Sequence, residues 1–132
     1  MSIKVALDEL RAAIAESDRA PYLVTTSDDL RPHTVAVQPA WGGDELVVTV
    51  GNRTLANAAA RPAVCLLWPP TERAGYSLIV DAEVVGTESG AGDAREDANR
   101  VRLQPTRAVR HRPAPGLDAD QYDPDCVTIP VD

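Results

Sequence analysis

The amino-acid sequence predicts a mainly β protein, built as a single antiparallel barrel or sandwich. Short runs rich in β-branched residues recur at regular spacing, and tight-turn signals such as "GGD" at residues 42–44 separate them. These runs do not alternate with long helical patterns, so a doubly wound α/β sheet is not expected. A chain of 132 residues has the length of one domain, and we expect one domain over residues 1–132.

The N-terminal segment, residues 2–18, has the spacing of an amphipathic helix. Ser2 belongs to the residue types that cap helices, and Pro21 follows the segment. The apolar side chains that recur at helical intervals are Ile3, Leu7, Leu10 and Ile14. We expect this helix to pack its apolar face on the rest of the domain.

Four strands are predicted between residues 22 and 68. They are "YLVTT" at 22–26, "HTVAVQPAW" at 33–41, "ELVVTV" at 45–50 and "AVCLLW" at 63–68. The second and third are expected to form a hairpin across the "GGD" turn. Pro32 and Pro39 suit strand ends, edges or bulges. The unbroken apolar run at 63–68 predicts a strand that is buried on both faces.

Three further strands are predicted in the C-terminal half. "YSLIVDAEVVGT" at 76–87 alternates in a way that gives it one core face and one partly wet face. The stretch at 100–112 predicts a sixth strand that Pro105 interrupts. "CVTIPV" at 126–131 predicts a last short strand.

A short polar turn lies between the strands at 45–50 and 63–68. After Gly51, the residues from Asn52 to about Ala60 predict a helix that Asn52 or Thr54 can cap. Free N–H groups and the positive dipole end at a helix N-terminus favour an anion such as a phosphate. A glycine lets the backbone approach that anion closely, and Arg53 adds a forked donor. A plain helix cap with a solvated arginine explains the same pattern, and on spacing alone it is the favoured interpretation.

Composition excludes several function classes. The net charge of −7 is unsuited to general nucleic-acid binding, and no apolar run reaches the ~18 residues of a membrane span, so we expect a cytoplasmic protein. Cys65 and Cys126 do not have metal-site spacing, and Cys65 reads as a small buried hydrophobe. His33 and His111 form no metal motif, so no metal is expected. The sequence contains no GxSxG motif of a nucleophilic serine, and no cysteine has a recognisable base partner.

Two charged stretches are explained more simply by paired or solvated charges than by a binding site. An arginine-rich stretch at 100–112 would present a basic stripe to an anionic ligand, but pairing of its arginines with nearby acidic residues is the favoured reading. "DADQYDPD" at 118–125 lacks the glycine and terminal glutamate of a calcium loop. We expect a solvated acidic loop there.

The order of these elements resembles a known family over about residues 5–88. A helix, a strand, "RPHTVAV", a hairpin, "ELVVTVGNRTLANAAARPAVCLLW" and "YSLIVDAEVV" follow one another as in pyridoxamine 5'-phosphate oxidase-like proteins, the FMN-binding split barrels. The resemblance implies a split antiparallel β-barrel with an N-terminal helix and one short helix after strand 3. It also implies a homodimer with the cofactor at the interface between the subunits.

The resemblance also implies which residues bind the cofactor. The phosphate would lie on Gly51, Asn52, Arg53 and Thr54, and the ring along the backbone of Val35, Ala36 and Val37. His33 and Gln38 end that stretch, and Asn57 takes the place of a helix asparagine found in many relatives. The family's phosphate lysine is replaced by Thr54, and the C-terminal substrate-binding pattern of the true oxidases is not recognisable.

The activity that the resemblance implies is oxidoreduction with FMN or the deazaflavin F420. Hydride would pass between the cofactor and a small organic substrate, while the protein supplies position and electrostatics. The alternative is a non-catalytic or degenerate split-barrel protein that binds a cofactor weakly or not at all. The sequence leaves the choice between FMN and F420 open.

Overall fold

A computed structural model describes residues 1–90 and 98–114 of the chain. The predicted strand at 126–131, the acidic loop at 118–125 and Cys126 lie outside the described residues. The elements are β1 (Ser2–Val5), a 3-10 turn (Leu7–Glu9), α1 (Leu10–Ala15), β2 (Tyr22–Thr26), β3 (Pro32–Ala36), β4 (Ala40–Gly42), β5 (Glu45–Val50), α2 (Asn52–Ala60), β6 (Ala63–Trp68), β7 (Ser77–Glu88) and β8 (Asn99–His111).

The strands form one antiparallel sheet in the order β3-β2-β6-β7-β8-β5-β4, and β1 pairs with β8 beside this path. The two end strands, β3 and β4, are consecutive in the chain but do not pair with each other. The sheet therefore has an open seam between its first and last strands. This arrangement confirms the predicted mainly β split barrel.

The N-terminal prediction was wrong over its first residues. Residues 2–5 form a strand whose register runs from Ser2 opposite His111 to Val5 opposite Ala108, and only residues 7–15 are helical. Leu10 and Ala13 are buried, whereas Ile3 and Leu7 are exposed, so no continuous apolar helix face exists. Pairing with a distant strand overrides a local helical period.

The predicted strand at 33–41 is divided into two. Its first part, β3, pairs with β2, and its last part, β4, pairs with β5 around the turn at Gly43, which has a φ of 65°. The hairpin is therefore confirmed only for β4. Pro39, which has no N–H to donate, lies between the two strands.

Pro105 does not interrupt β8, which runs unbroken over Asn99–His111. The register passes from Asp81 opposite Arg107 to Ala82 opposite Pro105, so Thr106 is the extra residue of a bulge. The hydroxyl of Thr106 donates to the carbonyl of Asp81 at 3.2 Å. A bulge is one of the few places in a sheet that tolerates a proline.

The core lies inside the curved sheet. Leu23, Leu66, Val80, Val101 and Leu103 are fully buried there. One face of β6 is buried, whereas the residues of its other face are exposed at Ala63 and half-buried at Cys65 and Leu67, so the prediction that both faces are buried was wrong for the single chain. Helix α2 closes one end of the core with Thr54, Asn57 and Ala58. No helix in the described ranges is long and apolar enough to cross a membrane.

Replacing a core leucine tests this packing. We expect Leu103→Ala to lower the free energy of unfolding by about 2–5 kcal/mol, because it leaves a cavity where the side chain is 0% exposed. The matched change Leu30→Ala, at a side chain that is 75% exposed, should cost no more than about 0.5 kcal/mol. Urea unfolding followed by circular dichroism measures both, and equal losses would contradict the described core.

Candidate functional site

A groove of about 370 Å³ lies at the open seam of the sheet. Both sides of the seam contribute to its wall, which consists of Ala20, Val35, Ala36, Val37, Gln38, Thr49, Val50 and Gly51. The structure thus brings the predicted ring-binding stretch of β3 next to Gly51, the residue before the predicted phosphate turn. These two segments are separate in sequence and meet only because the sheet curves.

The outer edge of β3 offers backbone groups to this groove. The N–H of Val37 donates to the carbonyl of Pro21 at 3.0 Å, which continues the β2–β3 ladder by one pair. In an antiparallel ladder alternate residues face the partner strand, so the N–H and C=O of Ala36 face away from β2. No strand in residues 1–90 or 98–114 pairs with that side of β3.

The start of α2 forms the other end of the groove. Gly51 is the N-cap residue, and its carbonyl accepts the first helical hydrogen bond from the N–H of Leu55 at 3.0 Å. Neither Asn52 nor Thr54 caps the helix, contrary to the prediction. Gly51 has φ −76° and ψ 177°, which any residue adopts, so no unusual backbone conformation requires a glycine here. The N–H groups of Asn52, Arg53 and Thr54 have no acceptor within the helix.

The side chains of the first helical turn have different surroundings. Arg53 is exposed and forms no ion pair within the described part of the chain. The side-chain carbonyl of Asn52 accepts a hydrogen bond from the Asn99 amide at 2.9 Å. The side-chain carbonyl of Asn99 in turn accepts from the backbone N–H of Gly90 at 2.9 Å. The helix start is therefore fastened to the beginning of β8, while Arg53 stays available to a ligand.

Thr54 and Asn57 face the interior of the protein and not the groove. Thr54 is 2% exposed and Asn57 is 5% exposed. The Asn57 amide donates to the hydroxyls of Thr25 at 3.1 Å and Ser27 at 3.3 Å. These contacts attach α2 to β2 and to the turn after it. The two residues therefore support the site from within, and Thr54 offers a ligand its backbone N–H.

His33 is half-buried opposite Thr25 in the β2–β3 ladder, and it does not line the groove. Three lining residues that sequence reasoning missed are Ala20, Thr49 and Val50. Their small apolar or hydroxyl side chains carry no chemical signal. Only the curvature of the sheet places them beside β3.

The groups that could act in catalysis or bind a metal are few. Burial, and then the charge of Asp81, raise the pKa of the Cys65 thiol above its ordinary value. Cys65 is therefore a neutral thiol near pH 7 and lacks the character of an activated nucleophile. Among the residues that the structure describes, no three His, Cys, Asp or Glu side chains come together as metal ligands.

Solved structures share this fold. An F420 reductase superposes with a TM-score of 0.59 at 19% identity, over 73% of this chain and 93% of its own. An FMN-binding protein from Syntrophomonas wolfei gives a TM-score of 0.62 at 10% identity, over 82% and 87%. An FAD-binding protein from Mesorhizobium loti gives 0.58 at 14% identity, over 83% and 96%. The protein thus has the fold of the FMN-binding split barrels, as the sequence resemblance implies.

Sequence relatives define the family more narrowly. The uncharacterized proteins Mb0449c of Mycobacterium bovis and MT0457 of Mycobacterium tuberculosis are each 42% identical to this chain over 121 residues. The alignments cover 84% of this chain and 82% of each relative. The chain belongs to the same family as these mycobacterial proteins. No protein-family model matches it.

The contacts of Asn57 predict a measurable stability cost. We expect Asn57→Ala to lower the free energy of unfolding by about 1–3 kcal/mol, because it removes the donor to two buried hydroxyls. Ala59→Asn, at an exposed position of the same helix, should cost less than about 1 kcal/mol of helix propensity. Thermal unfolding compares the two variants, and a loss no greater than that of the control would contradict the role of Asn57.

Proposed function

We propose that this protein is a homodimeric oxidoreductase that binds FMN or F420 in the groove at the open seam. It would pass a hydride between the cofactor and a small organic substrate. One observation carries the proposal: the groove joins unpaired backbone groups of an edge strand to the free N-terminus of a helix. The first set of groups suits a planar ring with polar edges, and the second suits a phosphate.

The residues of the β3 wall fit a flavin-type ring. Such a ring presents acceptors and donors along one edge, and Ala36 offers one backbone N–H and one backbone C=O on the open side of β3. The side chains of Val35 and Val37 add apolar surface beside them. Shape and polar positioning therefore come mainly from backbone, which explains why the stretch has no distinctive side chains.

The residues at the start of α2 fit a phosphate group. Three N–H groups, from Asn52, Arg53 and Thr54, have no helical acceptor, and the helix dipole adds partial positive charge. Arg53 is the cationic side chain of this turn, since the family's lysine is replaced by the buried Thr54. Backbone amides and one guanidinium would thus hold the phosphate.

The bound cofactor supplies the hydride chemistry. The lining residues contain no carboxylate, imidazole or thiol, so the protein's own part is to bind, orient and exclude water. The proteins that share this fold support the assignment, because an F420 reductase and an FMN-binding protein are among them. The groove's chemistry is consistent with either cofactor.

A second copy of the chain would complete the site. On the outer face of the sheet, Ala36, Tyr22, Leu67 and Ile79 lie side by side across β3, β2, β6 and β7. Tyr22 is 43% exposed there, and Leu67 and Ile79 are half-buried. Because Ala36 belongs both to this apolar row and to the groove, a partner on the row would also border the groove. Burial of such a row is the usual source of dimer stability.

Replacing Arg53 tests the phosphate site. We expect Arg53→Ala to weaken binding of FMN or F420 by about tenfold to a hundredfold, through loss of a hydrogen bond to a charged group, with no change in fold. Arg31→Ala is the control, because Arg31 is also exposed but comes just before the first residue of β3. The groove lies at the other end of that strand, at Val35 and Ala36. Fluorescence titration measures both variants. Equal binding by wild type and Arg53→Ala would show that the phosphate lies elsewhere.

Thermal unfolding in the presence of each cofactor separates the proposal from its alternative. A wild-type protein whose thermal midpoint responds to neither FMN nor F420, each far above a plausible dissociation constant, would be the non-catalytic or degenerate form.

Replacing Leu67 tests the proposed dimer. We expect wild type to have twice the chain mass of 14.1 kDa by light scattering, and Leu67→Arg to approach the mass of a single chain. A charge in the centre of the apolar row loses its hydration when a partner covers it. Leu30→Arg, on an exposed turn, is the control and should stay dimeric. Cofactor affinity should fall with the dimer in Leu67→Arg, and an unchanged mass would refute this interface.

A further inference from the structure

The first strand, β1, has an open edge with apolar side chains around it. It pairs with β8 on one side, and no strand in residues 1–90 or 98–114 pairs with its other side. Six large apolar side chains are exposed in these ranges, and three of them, Met1, Ile3 and Leu7, belong to β1 or its neighbours. An open edge with exposed apolar side chains favours the addition of another strand.

A groove of about 680 Å³ lies between β1 and the last part of β8. Much of its wall is apolar, from Val5, Ala6, Leu7, Ala108 and Val109. The charged residues in the wall are Lys4 and Arg107, and the wall contains no carboxylate. On a chain of net charge −7, such a groove is complementary to an occupant that is both apolar and acidic.

The two cations of this groove differ in their partners. Lys4 is exposed and forms no ion pair within the described part of the chain. Arg107 pairs with Asp81 at 3.6 Å, and both side chains stay exposed to solvent. Arg102 and Arg110 also pair with carboxylates, so the predicted pairing of the arginine-rich stretch is confirmed for these three arginines. Lys4 is therefore the uncompensated positive charge of the groove.

A segment of the same chain, residues 115–132, has the composition that the groove requires. It lies outside the described residues. Five aspartates and no lysine, arginine or histidine occur in it, so it contributes −5 to the net charge of −7. In "DCVTIPVD", residues 125–132, two aspartates flank the run that the sequence predicts as a strand. Alternation in such a strand gives Val127, Ile129 and Val131 a common face. Pro130 suits a strand that is added at an edge, because one side of that strand needs no ladder hydrogen bonds.

The described chain leaves β8 directly beside β1. The backbone N–H of Arg112 donates to the carbonyl of Met1 at 3.2 Å, and the amino group of Met1 donates to the carbonyl of Arg112 at 2.9 Å. From residue 114 to residue 126 the chain can span at most about 40 Å, whereas the four residues of β1 extend over about 13 Å. A tether of this length gives an effective concentration of about the millimolar range, which favours the same chain over a second copy.

We propose that residues 126–131 add as a strand at the open edge of β1 of the same chain. The apolar face of the segment covers the groove, and the flanking Asp125 and Asp132 match the charges of Lys4 and Arg107. This docking uses no residue of the groove at the seam, so it is independent of the proposed function and of any cofactor.

A spin label on Cys126 tests the docking in the full chain. Cys65→Ala leaves Cys126 as the single cysteine, and Cys126 lies on the face of the predicted strand opposite Ile129. In ¹⁵N-labelled protein, we expect the label to broaden the backbone amide signals of Ile3 and Lys4. The signal of Leu30, on the turn between β2 and β3, should stay sharp. Unbroadened β1 signals would overturn the proposal.

Two further variants of the labelled protein separate docking from mere proximity. Ile129→Asp places a charge on the apolar face, so the β1 signals should regain their intensity. Ala119→Asp adds the same charge to the same segment outside the apolar run, and the broadening should persist. Broadening that survives Ile129→Asp would show that the apolar run does not hold the segment, which would overturn the proposal.

A mixed sample identifies the chain that supplies the segment. Spin-labelled protein without ¹⁵N is mixed with ¹⁵N-labelled protein that carries no spin label. Docking within one chain leaves the β1 signals of the mixture sharp. Broadening of those signals would assign the docked segment to a second copy and overturn the same-chain docking.

Discussion

The gap between β3 and β4 is the constraint on which the rest of this structure depends. Each of these strands pairs on one side only, and the three residues that join them, 37–39, include a proline that cannot donate to a ladder. An open edge normally invites association with another chain. Here the edge forms the wall of a groove, so its unpaired N–H and C=O groups become the polar part of a candidate binding site.

Helix α2 adds a second set of polar groups to the gap between β3 and β4, because the first turn of the helix is held beside that gap. Asn57 bonds it to the hydroxyls of Thr25 and Ser27, and Asn52 bonds it to Asn99 at the start of β8. Both contacts join segments that are distant in sequence. The free N–H groups of the first turn therefore have a definite position relative to β3. A helix start that is held in place can bind an anion without paying to order itself.

The arginines of the described surface differ in whether a carboxylate neutralises them. Ion pairs satisfy arginines along β8 and around the turns, and exposed pairs of this kind add little to stability. Arg53, next to the groove, forms no such pair within residues 1–90 and 98–114, so its charge stays available to a ligand. Binding of an anion at the groove would depend on the position of this arginine and not on how many arginines the chain has.

Much of the architecture follows from local patterns. Strands β2, β5, β6 and β7 and helix α2 match the predicted segments, because a run of β-branched and apolar residues or a helical period identifies an element from its own residues. The turn "GNRT" also marks a helix start suited to an anion, without reference to anything distant. Such features were determined by the sequence itself. Tertiary structure alone decided that residues 2–5 pair as a strand, that residues 33–41 divide between two partners, and that Thr54 faces inward while Arg53 faces out. It alone placed Ala20 and Thr49 at the groove. The physical reason is that these outcomes depend on pairing between residues up to about a hundred positions apart, which no local period encodes.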